Sequence, residues 1–244
     1  MRLKLLVLGL LFSCSSGADW RTADRSSVGL TPAAKDEPRA VVQIYSARTY
    51  GWKGNLAVHS WMALKEKGAR EYTVYEVIGY GSQKGIPVIR SRQRAPDQRW
   101  FGNEPTLHFD LRGTAAEEMI PHVLAAVKSY PYPDSYRMWP GPNSNTFVSH
   151  IMRNTPGIAV ELPPNAIGKD WIGSGQPLGL TESGTGVQVS VAGALGFTIG
   201  AAEGIEVNIL GMTFGIDLWR PALKLPFIGR LGFADAPLYV PKGF

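Results

Sequence analysis

The sequence predicts an α+β fold in which an antiparallel sheet packs on helices and a glycine-rich antiparallel β extension follows at the C-terminus. Three observations support this class. Hydrophobic residues make up 44% of the 244 residues, so a sizeable core can be buried. The 28 glycines and 18 prolines indicate many turns and short strands rather than long helices. Alternating segments occur in both halves of the chain, and two segments between them have helical spacing.

The N-terminus has the pattern of an export signal. A basic start precedes a short apolar run from Leu5 to Phe12, and small residues follow, which predicts a signal peptide over residues 1–18. Two processing sites are open: a lipoprotein-type site at which Cys14 would be lipidated, and an ordinary site after Ala18. We therefore expect either a lipoprotein on the periplasmic face of the outer membrane, held to the membrane by its lipid, or a soluble periplasmic protein.

The composition narrows the possible functions. Cys14 is the only cysteine, so the mature fold can contain no internal disulfide, thiolate metal site or cysteine nucleophile. Arg2 and Lys4 account for two of the five net positive charges, and the remaining charge of about +3 does not indicate a nucleic-acid partner. The sequence has no HExxH, CxxC or Walker-type motif, so we expect no metal and no cofactor.

The first half of the chain carries the predicted core. Residues 19–38 are polar and aperiodic, which predicts a tether. Four alternating segments then predict strands, at residues 40–46, 55–65, 71–78 and 107–112. The third of these strands is expected to pair antiparallel with the second, across the turn at Lys67-Gly68.

Two helices complete the predicted core over residues 39–156. Thr114 and Glu117 fit a capping box for a helix that runs towards Ser129 and is kinked or restarted by Pro121. A turn forced by proline and glycine then leads to a helix from Ser144, with Phe147, Val148 and Ile151 at helical spacing.

Residues 157–244 are expected to form a loop and a β-rich extension. The segments 186–193 and 204–211 match position for position and alternate at period two, which predicts two similar strands of a hairpin or meander. Residues 218–244 have no clear pattern and are expected to be irregular.

Two residues stand out as candidates for chemistry. His59 lies within a predicted strand, where it is either a hydrogen-bonded structural histidine or a general base. Ser144 opens a helix after Pro-Gly-Pro-Asn, where its hydroxyl is either an N-cap or a nucleophile. A helix N-terminus carries partial positive charge and free N–H groups, so it favours an anionic nucleophile and can stabilise an oxyanion.

The order of these features resembles the circularly permuted papain-like hydrolases. His59-Ser-Trp in a strand, an amphipathic helix and then Asn143-Ser-Asn-Thr-Phe147 are similar to the PPPDE peptidases and, more distantly, to permuted NlpC/P60 enzymes. In those families a strand histidine precedes a cysteine at a helix N-terminus, and Ser144 stands where they have that cysteine. The whole chain also resembles a bacterial family known as domain of unknown function 3750, a likeness that implies no activity.

The resemblance implies a Ser144–His59 dyad that acts on an amide or ester, and the predicted export alone points to cell-envelope peptides or lipids as substrates. A serine hydroxyl cannot be ionised beforehand as a thiol can, so His59 would have to accept its proton during attack. Glu76 on the next strand is a candidate to orient the imidazole, and Asn143 a candidate oxyanion donor.

Three functions remain open from the sequence. The first is a serine-type hydrolase or acyltransferase. The second is a catalytically inactive papain-like lipoprotein with a binding role, in which Ser144 only caps a helix. The third is a structural envelope protein whose C-terminal strands add to a partner's sheet. An uncovered apolar surface on residues 186–217 would favour the third.

Overall fold

The computed structural model describes residues 19–173 and 176–235 and confirms the α+β class. The leader and Cys14 lie outside the described residues. No helix in the described part of the chain is long and apolar enough to cross a membrane. Short 3-10 turns occur at Ala34–Asp36, Gly51–Asn55 and Ser82–Lys84.

The first half of the chain forms a five-stranded antiparallel sheet with the order β4-β3-β2-β1-β5. The strands are β1 (Val41–Arg48), β2 (Val58–Lys65), β3 (Thr73–Val77), β4 (Ile89–Gln93) and β5 (Thr106–Arg112). The four predicted strands correspond to β1, β2, β3 and β5. Strand β4 is not among the four predicted strands.

Two helices cover one face of this sheet: α1 (Thr114–Lys128) and α2 (Ser144–Arg153). Because side chains alternate along a strand, Ile44 and Met62 point to the face of the sheet that the helices cover, and they pack with Val123 and Phe147 in the main core. The opposite face carries a smaller cluster around Tyr45 and Trp61.

The predicted capping box of α1 is wrong. Gly113 occupies the N-cap position, Thr114 is the first helical residue, and no side chain caps this end. The positive φ of Gly113, 81°, is easily adopted only by glycine, which explains why the boundary falls one residue earlier. Pro121 lies inside a continuous helix and does not divide it.

Residues 19–38 do not form a loose tether. Asp97 accepts hydrogen bonds from the Ser27 hydroxyl and the Leu30 backbone N–H, and the Thr31 and Tyr45 hydroxyls are hydrogen-bonded at 2.5 Å. The segment therefore docks on the sheet through individual polar contacts, which leave no periodic signal in the sequence.

The C-terminal part forms a second sheet of seven antiparallel strands in sequential order. The strands are β6 (Leu178–Leu180), β7 (Gly186–Val191), β8 (Leu195–Gly200), β9 (Gly204–Ile209), β10 (Met212–Asp217), β11 (Ala222–Leu225) and β12 (Gly229–Gly232). The two similar segments are β7 and β9, which flank β8 in a meander as predicted. The expectation that residues 218–244 are irregular is wrong for β11 and β12.

The segment between the two sheets packs in the first core. Ile158, Val160, Leu162 and Ala166 are buried with the helix and strand residues, so the core packing continues beyond residue 156. Glu161 and Lys169 in the same segment are also buried, and they face the second sheet.

The second sheet joins this segment through a buried ionic cluster. Lys224 on β11 donates to Glu161 at 2.5 Å and to Glu206 at 3.0 Å, and Lys169 lies 3.2 Å from Glu206. Burial lowers the pKa of Lys169, but its neighbouring carboxylates, Glu206 foremost, outweigh that effect and raise it above the ordinary value. Burial and the neighbouring Glu206 raise the pKa of Glu161 in the same cluster, so its ionised groups depend on one another and each is costly to leave unpaired.

Replacing Lys224 by methionine should destabilise the protein by about 3–5 kcal/mol, because Glu161 and Glu206 would remain buried with too little positive charge. Urea unfolding measures the difference. Lys67→Met is the matched control, since Lys67 pairs with Glu117 while 71% exposed and should contribute at most about 1 kcal/mol. Equal losses in the two variants would show that the cluster does not hold the second sheet in place.

Candidate active site

His59 is the second residue of β2, and its surroundings fix the orientation of its ring. Its Nε2 lies 2.9 Å from Oε2 of Glu76, and its ring stacks on Trp100 with the centroids 3.8 Å apart. Trp61, two residues along the same strand, lies on the same face of the sheet. The side chain is only 8% exposed, and the imidazole is held between an acid and aromatic rings.

Glu76 on β3 is buried and charged. Burial would raise the pKa of its carboxyl, but the hydrogen bond with His59 and the nearby charges, including Arg94, outweigh it and lower the pKa. Arg94 lies 3.6 Å from the same Oε2 and over the ring of Trp61. An ionised Glu76 favours a proton on Nε2 of His59, which leaves Nδ1 with its lone pair, so Nδ1 can accept a proton.

Ser144 is the first residue of α2, and Asn143 is its N-cap. The side-chain oxygen of Asn143 accepts from the N–H groups of Asn145 and Thr146, and the Thr146 hydroxyl accepts from the Asn143 N–H to complete a capping box. The structural interpretation, in which Ser144 is the N-cap, is therefore wrong: the cap is Asn143, one residue earlier. Among the described residues, neither the hydroxyl nor the backbone N–H of Ser144 has a hydrogen-bond partner.

Asn143 does not suit the role of oxyanion donor. Its side-chain NH2 group donates to the carbonyls of Met138 and Ile167 at 3.1 and 2.9 Å. Both of its donor hydrogens are occupied in holding the loop that precedes α2. The free donor at this end of the helix is the backbone N–H of Ser144.

Asn145 ties the start of α2 to the strand that carries His59. Its NH2 group donates to the carbonyls of Val58 and Ile167, and its oxygen accepts from the Ser60 hydroxyl at 2.8 Å. The residues on both sides of His59 are thus fixed to the helix terminus. Sequence reasoning missed Asn145, and also Trp100 and Arg94; the Asn-Ser-Asn spacing was the only available signal for the first.

Ser144 and His59 line one cavity of about 220 Å³ beside the start of β2. Its walls include Tyr136 and Met138 from the loop before α2, and Tyr50 and Lys53 from the turn before β2. His59 shares a sheet face with Trp61, whereas Ser60 faces α2, and no hydrogen bond joins His59 to Ser144 within the described chain. The cavity thus brings the predicted base and nucleophile together without a direct hydrogen bond between them.

The other histidines lie away from this cavity. His108 is hydrogen-bonded to the Ser46 hydroxyl, and burial lowers its pKa to about 4. His150 on α2 contacts the Ser129 hydroxyl at 3.2 Å. Within residues 19–173 and 176–235, no group of three or more His, Cys, Asp or Glu side chains is arranged to hold a metal ion.

Comparison with known proteins identifies the family. No curated protein and no solved structure matches the chain. The sequence model of the family described as "Protein of unknown function (DUF3750)" matches residues 39–171. The match covers more than half of the chain, from just before β1 through both helices and the buried segment that follows them. The chain therefore belongs to the DUF3750 family.

Proposed function

We propose that this protein is a serine-type hydrolase or acyltransferase that acts on an amide or ester of the cell envelope, with a permuted papain-like core. Ser144 is its nucleophile, His59 its general base and Glu76 the residue that orients the imidazole. One observation carries the proposal: a helix-terminal serine lines the same small cavity as a buried histidine whose other nitrogen is paired with an ionised carboxylate.

The chemistry follows the order of proton transfers in a serine hydrolase. The Ser144 oxygen attacks the carbonyl carbon of the substrate while Nδ1 of His59 takes the hydroxyl proton. Negative charge then develops on the carbonyl oxygen, where the unpaired N–H of Ser144 and the positive end of α2 stabilise it. The imidazolium, stabilised by Glu76, gives its proton to the departing amine or alcohol, and an acyl group remains on Ser144.

Deacylation reverses these roles. His59 accepts a proton from water, which gives hydrolysis, or from an acceptor amine or alcohol, which gives acyl transfer. The attacking oxygen or nitrogen bonds to the acyl carbon, the bond from that carbon to the Ser144 oxygen breaks, and His59 returns its proton to Ser144. The cavity of about 220 Å³ has room for a short acyl group or one amino-acid side chain. Catalytic hydrogen bonds are often long before substrate binds, so a substrate in this cavity is expected to draw the Ser144 hydroxyl to His59.

The location of this activity is part of the proposal. The signal-peptide pattern of residues 1–18 supports export, and Cys14 supports a lipid anchor. An envelope location makes peptides and lipids with amide or ester bonds the available substrates.

A second candidate function is an inactive papain-like lipoprotein with a binding role. Two observations favour it: serine replaces the cysteine of the resembling families, and no hydrogen bond joins Ser144 to His59. In this alternative the cavity holds a ligand without transforming it.

Reaction with a fluorophosphonate separates the two functions. The proposal predicts covalent phosphonylation of the wild-type protein, with the label mapped by peptide mass spectrometry to Ser144. An unlabelled protein, or a label spread over several serines, would favour the inactive alternative.

A further inference from the structure

The outer face of the seven-stranded sheet is a continuous apolar surface, here called the outer face. One row of paired residues crosses all seven strands and contains only aliphatic side chains: Leu180, Val187, Ile199, Ile205, Ile216, Leu223 and Leu231. A second row crosses five strands: Leu178, Val189, Phe197, Val207 and Phe214. Each of these side chains is between 39% and 65% exposed.

The inner face of the same sheet is polar and buried. Gln188, Thr198, Glu206 and Lys224 follow one another across strands β7, β8, β9 and β11, and each is less than 10% exposed. An antiparallel sheet with one face in water normally turns its apolar residues to the core and its polar residues outward. This sheet has the opposite arrangement, so its outer face is not adapted to water.

The size of the outer face also sets it apart. Seven strands about 4.8 Å apart, with up to six residues of about 3.3 Å each, give a surface on the order of 600 Å². That value is at the top of the range for the largest apolar patch on a typical soluble monomer, about 300–600 Å², and patches of this size often mark interaction sites. The two rows contain no polar side chain at all.

The chemistry of the outer face indicates hydrocarbon rather than protein as its partner. Specific protein interfaces carry about one hydrogen bond per 100–200 Å² and a polar rim. Here exposed apolar side chains continue past the strand ends, at Leu218 and Trp219 beyond β10, at Ile228 beyond β11 and at Phe233 beyond β12. Aromatic residues at the border of an apolar surface are typical of the region where a protein enters a membrane.

The start of the chain points to the same partner. The structure describes the chain from Asp19, and the segment from there to residue 38 is docked on the domain. Cys14 is five residues before Asp19, a reach of at most about 18 Å. A lipid on Cys14, or the apolar run that precedes it, would therefore keep the domain in contact with the bilayer. The lipid on Cys14 depends on the proposed export, whereas the apolar surface does not.

We propose that the outer face is a membrane-docking surface that lies flat in one leaflet of a lipid bilayer. Its strands have at most six residues, and crossing the hydrocarbon core requires about 9–11. In the flat orientation the rows of side chains enter the acyl-chain region, while the ionic cluster on the inner face stays on the protein side. The driving force is the removal of apolar side chains from water.

Flotation with vesicles of phosphatidylethanolamine and phosphatidylglycerol tests this surface. The full chain carries Cys14→Ser, so that no lipid can be attached. In one variant Phe197→Glu and Ile205→Glu add two charges to the outer face. The matched control adds the same two charges at Ile86 and Leu124, which are 44% and 37% exposed outside the second sheet.

We expect the apparent vesicle affinity to fall at least about tenfold in the Phe197/Ile205 variant and to stay near wild type in the control, because a carboxylate in acyl chains is costly. The wild type, the variant and the control all carry the same leader, so a difference in vesicle affinity between them reports the contribution of the outer face. Equal flotation of the variant and the control would overturn the proposal. Sedimentation without vesicles gives a second way to overturn it. If the wild type is a dimer, and the Phe197/Ile205 variant is a monomer that floats as the wild type does, then a second copy of the chain covers this face instead of lipid.

A single-cysteine reporter covers the case in which the charged variant does not fold. The Cys14→Ser chain has no other cysteine, so Val207→Cys can carry a fluorophore on the outer face and Lys67→Cys a control fluorophore on the first sheet's side of the molecule. Lipids with nitroxide-labelled acyl chains should quench the first fluorophore and not the second. Absence of quenching at residue 207 would overturn the proposal. Fluorophosphonate labelling of Ser144 is measured in a separate experiment, so the membrane-docking proposal and the proposed hydrolase function can each fail without the other.

Discussion

Replacement of Ser144 by alanine is expected to lower the rate of fluorophosphonate labelling at least about 1,000-fold, to the background of the reagent. The reason is chemical: the reagent bonds to an activated serine oxygen, and Ser144 is the serine at the helix N-terminus in the cavity that holds His59. The measurement is the second-order labelling rate by gel fluorescence or intact mass.

Ser129→Ala is the control for this prediction. Ser129 lies at the end of α1, where its hydroxyl donates to the Ala126 carbonyl, and it does not line the cavity. The control should label at the wild-type rate. If Ser144→Ala keeps a substantial fraction of the wild-type rate in a folded protein, Ser144 is not the nucleophile.

Glu76→Gln is expected to reduce the labelling rate about 100- to 10,000-fold. The change also removes the buried counter-charge of Arg94, so we expect a folded protein of lower stability than the wild type. The glutamine has nearly the same shape but no charge to stabilise the imidazolium, and its NH2 group can donate to Nε2 and move the proton of His59 to Nδ1. The base would then face Ser144 in the wrong tautomer. The rate is compared across pH with that of the wild type.

Two features distinguish this effect from a loss of structure. Circular dichroism and urea unfolding of Glu76→Gln should show a folded protein. Glu104→Gln is the control, because Glu104 is an exposed acid paired with Arg99 and lies outside the cavity. A Glu76→Gln protein that labels within about threefold of wild type would assign the His59–Glu76 pair a purely structural role.

The sequence predicted four of the five strands of the first sheet and both helices, because the patterns of these elements match their burial. Strands β1, β2 and β3 alternate between two covered faces, and α2 follows a turn that its prolines and glycine enforce. The boundary errors were small. Asn143 and Ser144 are both good cap residues, and only the structure shows that Asn143 takes the cap and leaves Ser144 at the first helical position.

The orientation of the second sheet could not be predicted from its alternation. A period of two tells which residues share a face, but not which face is covered. The usual assumption is that Val187, Val189 and Val191 turn inward. The structure shows the reverse, because Glu161 and Lys169 from the preceding segment provide charged partners for Glu206 and Lys224.

The environment of His59 depends on tertiary contacts that have no local signal. Glu76 could be named as a candidate from its strand, but its facing depends on the register of β2 and β3. Trp100 lies in an irregular segment and Arg94 directly follows β4, and they reach His59 and Glu76 only in the folded chain. Their roles follow from distance and burial, not from spacing.

In the proposed site, the imidazole of His59 and the first residue of α2, Ser144, line one cavity. The most direct test is the reactivity of the thiol in Ser144→Cys, with Cys14→Ser to remove the other cysteine. A free thiol has a pKa of about 8.5, and a helix N-terminus with an imidazolium lowers it. We predict a thiol pKa at least about one unit lower and, at pH 7, an alkylation rate that falls about tenfold or more when His59→Ala is added. An ordinary thiol pKa, unchanged by His59→Ala, would show that Ser144 and His59 do not form a dyad.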